Sequence, residues 1–359
     1  MTSRIGSTYV PSVGPLNAKI MFVGEAPGKD EEIEGEPFVG KSGQLLERYL
    51  GRIGIQRKNI RLTNLCHYRP GGNKFENLLG SEELKAGLAE LGEEISKVNP
   101  NLIVALGNWP MFYLTGKTAE KGKMGTGITS WRGSVVFGTG IATSYKVLIT
   151  YHPAFIIRPQ GFGNHPIFLN DLKRAKVESL NPKLEYPEYE SFIDPPALGD
   201  LTAEMGQAEW LTVDIETFRE SLACVGFADS VKRGLCITCE NPLGWEPARE
   251  LLMSPAKKIF QYGTFDINYL KWHYGWEVEN YAFDTYIAMA NLFPEFPRAL
   301  EFQTSIYTPF PFYKNERKVH KQTGDLGTLW RYNLKDLIAT HWIALEQMKE
   351  LRELYGANH

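Results

Sequence analysis

Cysteines are few in this chain, and long apolar runs are missing. Four cysteines, Cys66, Cys224, Cys236 and Cys239, are too few and too unevenly placed for the disulfide framework of a secreted scaffold, which fits a reducing compartment. No stretch approaches the ~20 apolar residues that span a bilayer. Met1 to Pro15 is polar, without the charged-then-apolar pattern of a secretory leader. The expectation is therefore a cytoplasmic protein with no membrane partner. An excess of one charge sign is also lacking. A net charge of -3 gives no global basic field, so contact with a polyanion must come from local patches, around Arg48 to Arg69, Lys117 to Lys123 and Lys314 to Lys321. With no low-complexity tract and no repeat of solenoid length, disorder and repeat arrays fall away.

What is there is globular: 359 residues, 43% hydrophobic and 23% charged, which suits two domains of ordinary size. The first half alternates short apolar runs (Ile20 to Val23, Ile60 to Leu65, Leu102 to Leu106, Val147 to Thr150) with amphipathic ones (Leu45 to Ile53, Leu84 to Ile95). This is the rhythm of an α/β domain on a mainly parallel sheet. Periodicity disappears among Pro182, Pro187, Pro195 and Pro196, so the expected division is a domain over 1–180, a linker over 181–200 and a second domain over 201–359. The second half predicts strands near Trp210 to Ile215, Ala223 to Ala228 and Leu235 to Cys239. Mostly helical segments follow, ending in a long amphipathic helix around Asp325 to Leu354.

Asp214 and Glu216 stand two residues apart in Leu211-Thr-Val-Asp-Ile-Glu-Thr217, so on a strand both carboxylates share a face while Val213 and Ile215 point to the core. Paired acids are tolerated where a cation neutralises them, and an isolated pair is more simply a solvated edge. This pair is not isolated. Asp266 opens a helix after an apolar strand, and Tyr332 and Asp336 lie four residues apart on one helical face. In this order the residues resemble the DEDD 3′→5′ exonucleases of the tyrosine subtype, as in family A polymerase proofreading domains, notably phage ones. The segments Asp284 to Ala290 and Ser305 to Thr308 fit too. The resemblance implies a ribonuclease H-like fold. Asp214, Glu216, Asp266 and Asp336 would hold two Mg2+ or Mn2+ ions, and Tyr332 would orient the attacking water. Tyr262 departs from the family, which often has Asn there, and Asp284 is expected to cap a helix.

In the first half, Gly24-Glu-Ala-Pro-Gly28 follows an apolar strand, which sets Glu25 at its C-terminal end, where α/β proteins usually keep their sites. Gly35-Glu-Pro-Phe-Val-Gly-Lys-Ser42 formally matches a phosphate-binding loop. The reading is rejected, because an acidic run precedes it where a buried strand is needed and Pro37 removes an amide. With Thr63-Asn64, Tyr68-Arg-Pro70, Asn73 and Tyr151-His-Pro-Ala154, these segments resemble family 4 uracil-DNA glycosylases over roughly Lys19 to Leu172. A three-layer αβα fold is implied. By that resemblance Glu25 would position the hydrolytic water, Phe38 would stack on the flipped uracil, Asn64 would read its polar edge and His152 would stabilise the departing base. Glu31 matches the acidic position that crowds a thymine methyl, and Asn73 a second active-site Asn.

Many members of that family carry a four-cysteine iron-sulfur cluster. This chain has no cysteine upstream of the Gly-Glu-Ala-Pro-Gly turn, and Tyr68 stands where one ligand would be, so no cluster is expected. Cys236 and Cys239 are read as core or strand packing. The expectation is a bifunctional DNA enzyme of replication proofreading and repair. DNA would be its partner, with a separately encoded DNA polymerase, in a cytoplasm that is the host's if the gene is a phage's. The alternative is an exonuclease alone, whose glycosylase-like half has become a DNA-binding or polymerase-docking module.

Overall fold

The computed structural model describes residues 5–119 and 123–356, apart from the side chains at 318, 319, 321 and 322. Of the basic stretches, Lys121 and the side chains of Lys318 and Lys321 lie outside the described residues. Two compact units divide the chain, Met1–Glu185 and Tyr186–His359.

In the first unit the apolar runs become the parallel strands of one sheet. These are β1 (Ile20–Gly24), β2 (Arg61–Asn64), β3 (Leu102–Leu106) and β5 (Lys146–Thr150), while β4 (Val135–Phe137) is antiparallel at the edge. Their order is β2-β1-β3-β5-β4. Every residue of β1, β3 and β5 is buried, as expected of strands covered on both faces. One face carries Met21, Val23, Ile103 and Ala105 against α3 (Glu82–Val98) and α4 (Asn108–Thr115). On the other, α7 (His165–Glu178) lies against β3 and β5 and meets α2 (Lys41–Arg52) through Tyr49 on Phe168. The unit is thus a three-layer αβα fold. Short helices α1 (Lys29–Glu34), α5 (Ile128–Trp131) and α6 (Pro153–Ile157) sit in its loops. The Gly35 to Ser42 segment follows helix α1, not a strand, which bears out the rejection of a phosphate loop.

The second unit has a six-stranded sheet in the order β11-β10-β7-β8-β9-β6. Strands β7 (Trp210–Phe218), β8 (Ser221–Ser230) and β9 (Arg233–Thr238) form an antiparallel meander. To it β10 (Lys257–Phe260) and β11 (Tyr281–Asp284) add in parallel. That is the ribonuclease H-like arrangement. Val213, Ile215, Phe227 and Ile237 pack on one side with α8 (Leu198–Met205), α9 (Trp245–Met253) and α10 (Thr264–Tyr274). Cys224 and Cys236 face Leu334, Leu337 and Ile338 of α14 (Leu326–Tyr355) on the other. Between these come α11 (Thr285–Leu292), α12 (Leu300–Tyr307) and α13 (Asn315–Thr323).

Two expectations need correction here. Residues 181–200 are not a linker throughout: β6 (Glu190–Ile193) runs parallel to β9, and Leu198 opens α8. Asp194 anchors the end of β6 by accepting from the amide of Thr238 (3.1 Å). Four mostly exposed residues carry no alternation, so periodicity misses such an edge strand. Cys239, expected to pack, lies just past the end of β9 and is exposed, whereas Cys236 is buried. No helix among the described residues is long and apolar enough to cross a membrane.

Candidate active sites, one in each unit

Loops leaving the C-terminal ends of β1, β2 and β5 converge on a cavity of about 360 Å³, lined among others by Glu25, Glu31, Phe38, Asn64, Asn73 and His152. All six residues singled out in the sequence of this unit meet there. Phe38 is held in a left-handed backbone conformation (φ 58°) and is 6% exposed. A non-glycine residue in that region is strained, so its surroundings must fix it. They do: Arg57 donates to the carbonyls of Phe38 (3.2 Å) and Pro37 (2.6 Å). Close approach also requires glycine at Gly24, where a Cβ would stand 2.5 Å from Asn64 Oδ1 and 2.6 Å from Phe38 Cζ. The Phe38 and His152 rings lie 6.3 Å apart at 25°.

His152 caps α6, its Nδ1 accepting from the amide of Ala154 (3.1 Å). That bond leaves Nε2 as the protonated nitrogen of a neutral ring. Neutral it is, since burial, then the Arg158 charge, lowers its pKa to about 4. Glu25 is shifted the other way, up to about 7, by burial and then by Glu76. The Glu31 carboxylate is committed on both oxygens, accepting from the amides of Gly28 and Gly40 (3.0 Å each). It ties together the two turns that flank the Phe38 wall.

In the second unit, Asp214, Glu216 and Asp336 each offer a carboxylate oxygen, all within 4.8 Å of one another. Tyr332 lies one helical turn before Asp336 on α14. Asp266 stands outside that triplet: its Oδ1 accepts from the amide of Ile215 (3.0 Å), between the two β7 acids. Burial, then the charges of Glu216, Asp266 and Asp336, holds Asp214 well above the usual carboxylate range. Burial likewise pushes Asp266 up to about 7 and keeps the Tyr332 hydroxyl protonated. Such crowding fits divalent cations, which neutralise carboxylates and take oxygen ligands. A cation is already drawn in, for Lys314 Nζ lies 2.7 and 2.6 Å from the two Asp336 oxygens. Asp284 caps α11 through the amides of Tyr286 (2.8 Å) and Ile287 (3.4 Å), as expected. It also accepts from Tyr262 and Gly263 (3.1 and 2.9 Å), fixing the turn where Tyr262 sits at φ 60°.

Several participants escape the sequence reading. Asn333, fully buried, donates to Asp214 Oδ2 (2.7 Å) and aims that carboxylate. It reaches there because its neighbour on β8 is Gly226, where any Cβ would collide with the Asn333 amide. Tyr313 donates to Asp336 Oδ1 (2.7 Å), and Arg317 lies 3.4 Å from Glu216. An Asn directly after the motif tyrosine was the one available signal. In the sequence, Lys314 and Arg317 stand out only as part of a basic patch.

The first unit thus has a cavity that pairs an aromatic wall with amide and imidazole groups, the form of a site that receives a planar base. Residues 11–175 match the uracil DNA glycosylase superfamily. The type-4 uracil-DNA glycosylase of Archaeoglobus fulgidus is 36% identical over 155 residues, covering 43% of this chain and 75% of that protein. Through its first unit the chain belongs to the type-4 uracil-DNA glycosylase family. The chain is also 25% identical over 173 residues, 47% of its length, to a DNA polymerase of Bacillus phage SP01, of which it spans only 17%. Among solved structures it is similar to Escherichia coli RNase D, an exoribonuclease, with TM-score 0.36 and 19% identity, over 46% of this chain and 45% of that one.

Proposed function

We propose that this chain is a bifunctional DNA enzyme of replication and repair: its first unit excises uracil, and its second removes nucleotides from 3′ ends with two divalent cations. The convergence of Glu25, Phe38, Asn64 and His152 on one cavity carries the first half of this reading. A flipped uracil would stack on Phe38, while the Asn64 amide, offering both a donor and an acceptor, separates uracil from cytosine. Negative charge develops on the leaving base, and the Nε2–H of neutral His152 supplies a donor that gains most in the transition state. Glu25, ionised above about pH 7, would hold the attacking water and offset positive charge on the sugar. Asn73 lines the same cavity as a second amide contact. Glu31 acts on thymine through the wall it braces: with the turns at Gly28 and Gly40 pinned, the pocket cannot widen for a methyl.

In the second unit Asp214, Glu216 and Asp336 would hold one Mg2+ or Mn2+, and Asp266 with Asp214 would serve the other. When bound, such ions supply a hydroxide at neutral pH and neutralise charge on the phosphate. The chain's own part is to fix the acids, through Asn333 on Asp214 and the Ile215 amide on Asp266, and to present the Tyr332 hydroxyl to the water. An iron-sulfur cluster does not fit the first unit, whose only cysteine, Cys66, is a core residue. We propose that this unit stands without one. Tyr9, whose hydroxyl donates to Glu90 (2.8 Å), packs on His67 and Tyr68 instead, pinning the N-terminal segment to the loop after β2.

A separately encoded polymerase as partner, in the cytoplasm of the cell or of a phage's host, accords with the phage likeness; co-purification with a polymerase would test it. The activities separate on an oligonucleotide carrying a single uracil. In EDTA, uracil excision should persist and 3′ trimming should vanish. Loss of both would refute the metal-free assignment, and trimming with no excision at any condition would leave the first unit a docking module.

A further inference from the structure

The acid cluster of the second unit carries its own counter-cation. Lys314 precedes α13 and reaches back to α14, with Nζ 2.7 and 2.6 Å from the Asp336 oxygens and 2.8 Å from the Tyr332 hydroxyl. Its ammonium also lies over the Tyr332 ring, 4.7 Å from the centroid, and 5.3 Å from that of Tyr313. The contact is not a loose surface pair, since the Lys314 side chain is 14% exposed and that of Asp336 7%. The backbone beyond Lys314 is tethered independently: Glu316 binds Lys335 of α14 at 2.6 and 2.8 Å. One turn on, Arg317 lies 3.4 Å from Glu216. The segment therefore delivers two cations to two of the three clustered carboxylates.

We propose that Lys314 is a positioning residue that exchanges with the divalent ion at Asp336, neutralising the acids when metal is away and leaving the pocket when metal arrives. The inference rests on the metal-site reading above. Exchange follows from geometry: both Asp336 oxygens are engaged by the ammonium, and Oδ1 also accepts from Tyr313 (2.7 Å). A divalent ion needs a lone pair of the same carboxylate and repels the ammonium at that distance. The lysine side chain can move while the backbone stays, because the Glu316–Lys335 pair keeps α13 docked. Its four-carbon stem allows this.

The full chain is tested first without substitution. Brief acetylation in EDTA and in Mn2+, read by mass spectrometry at Lys314, should show labelling several-fold higher with Mn2+. Lys314→Met, titrated with Mn2+ by calorimetry, should bind several-fold tighter than wild type, and Lys314→Arg should remain near wild type because the competing charge is kept. Equal labelling in EDTA and Mn2+ by a wild type that binds the ion overturns the exchange, whether or not Lys314→Met folds. So does unchanged affinity in a folded Lys314→Met. A wild type that binds no Mn2+ overturns the metal-site reading itself, and the exchange with it.

Discussion

At the residue scale, the hydrogen bond from the Ala154 amide to His152 Nδ1 leaves Nε2 as the ring nitrogen that carries the donor proton. Removing that donor should act on rate far more than on folding. His152→Ala is expected to lower single-turnover uracil excision about 100- to 1,000-fold, as loss of one transition-state donor does elsewhere. Glu25 gives a pH signature. Because burial raises its pKa to about 7, excision should climb with pH through that value, and Glu25→Gln should be slow with the climb abolished. Stability runs the opposite way. The folded state prefers the protonated acid, so its contribution is complete below the ordinary value near 4.5 and is lost as pH rises through about 7. Glu25→Gln should therefore raise Tm at pH 8 and lose that gain toward pH 4.5, a trade of stability against activity at one side chain. A Tm unchanged at pH 8 would mean that the carboxylate carries no burial penalty.

At the element scale, α14 shows what periodicity can and cannot convey. Tyr332 and Asp336 were legible as a pair because a helix repeats every 3.6 residues, and Asp214 with Glu216 because a strand repeats every two. Asn333 was not legible. Its role depends on Gly226, more than 100 residues away on a strand whose register only the fold sets. Lys314 was hidden for the same reason, its partner Asp336 lying beyond a turn and the whole of α13. In the first unit, Glu25 and His152 sit just past the ends of β1 and β5 and Asn64 closes β2; strand-end placement was readable for Glu25, and the other residues came from the family resemblance. Glu31 illustrates the limit: its place in the cavity was foreseen, but its two amide bonds were not. Asp284 supplies a test of cap against ligand. It closes α11 and the Tyr262 turn at once, so Asp284→Ala should cost roughly 1–2 kcal/mol in urea unfolding while leaving Mn2+ affinity unchanged. A loss of Mn2+ binding in a folded variant would make it a ligand instead.

At the scale of the whole molecule, two chemistries with different needs share a chain of modest charge. On the proposed reading, one unit would work through hydrogen bonds and a buried acid, and the other through clustered acids that hold cations. The division into two halves rests on the α/β rhythm and the strands-then-helices pattern, which are long-range features. Its boundary was drawn too late, since a short edge strand gives no periodic signal. That strand bears on how the second half would behave alone. β6 covers the flank of β9, where Leu235, Cys236 and Ile237 are fully buried. A fragment begun at residue 201 would strip it away and present an unpaired row of amides and carbonyls along an apolar ribbon, an invitation to stack copy against copy. One begun at residue 186 keeps the flank sealed. Light scattering of the two should find the shorter piece assembling into large species and the longer one monodisperse.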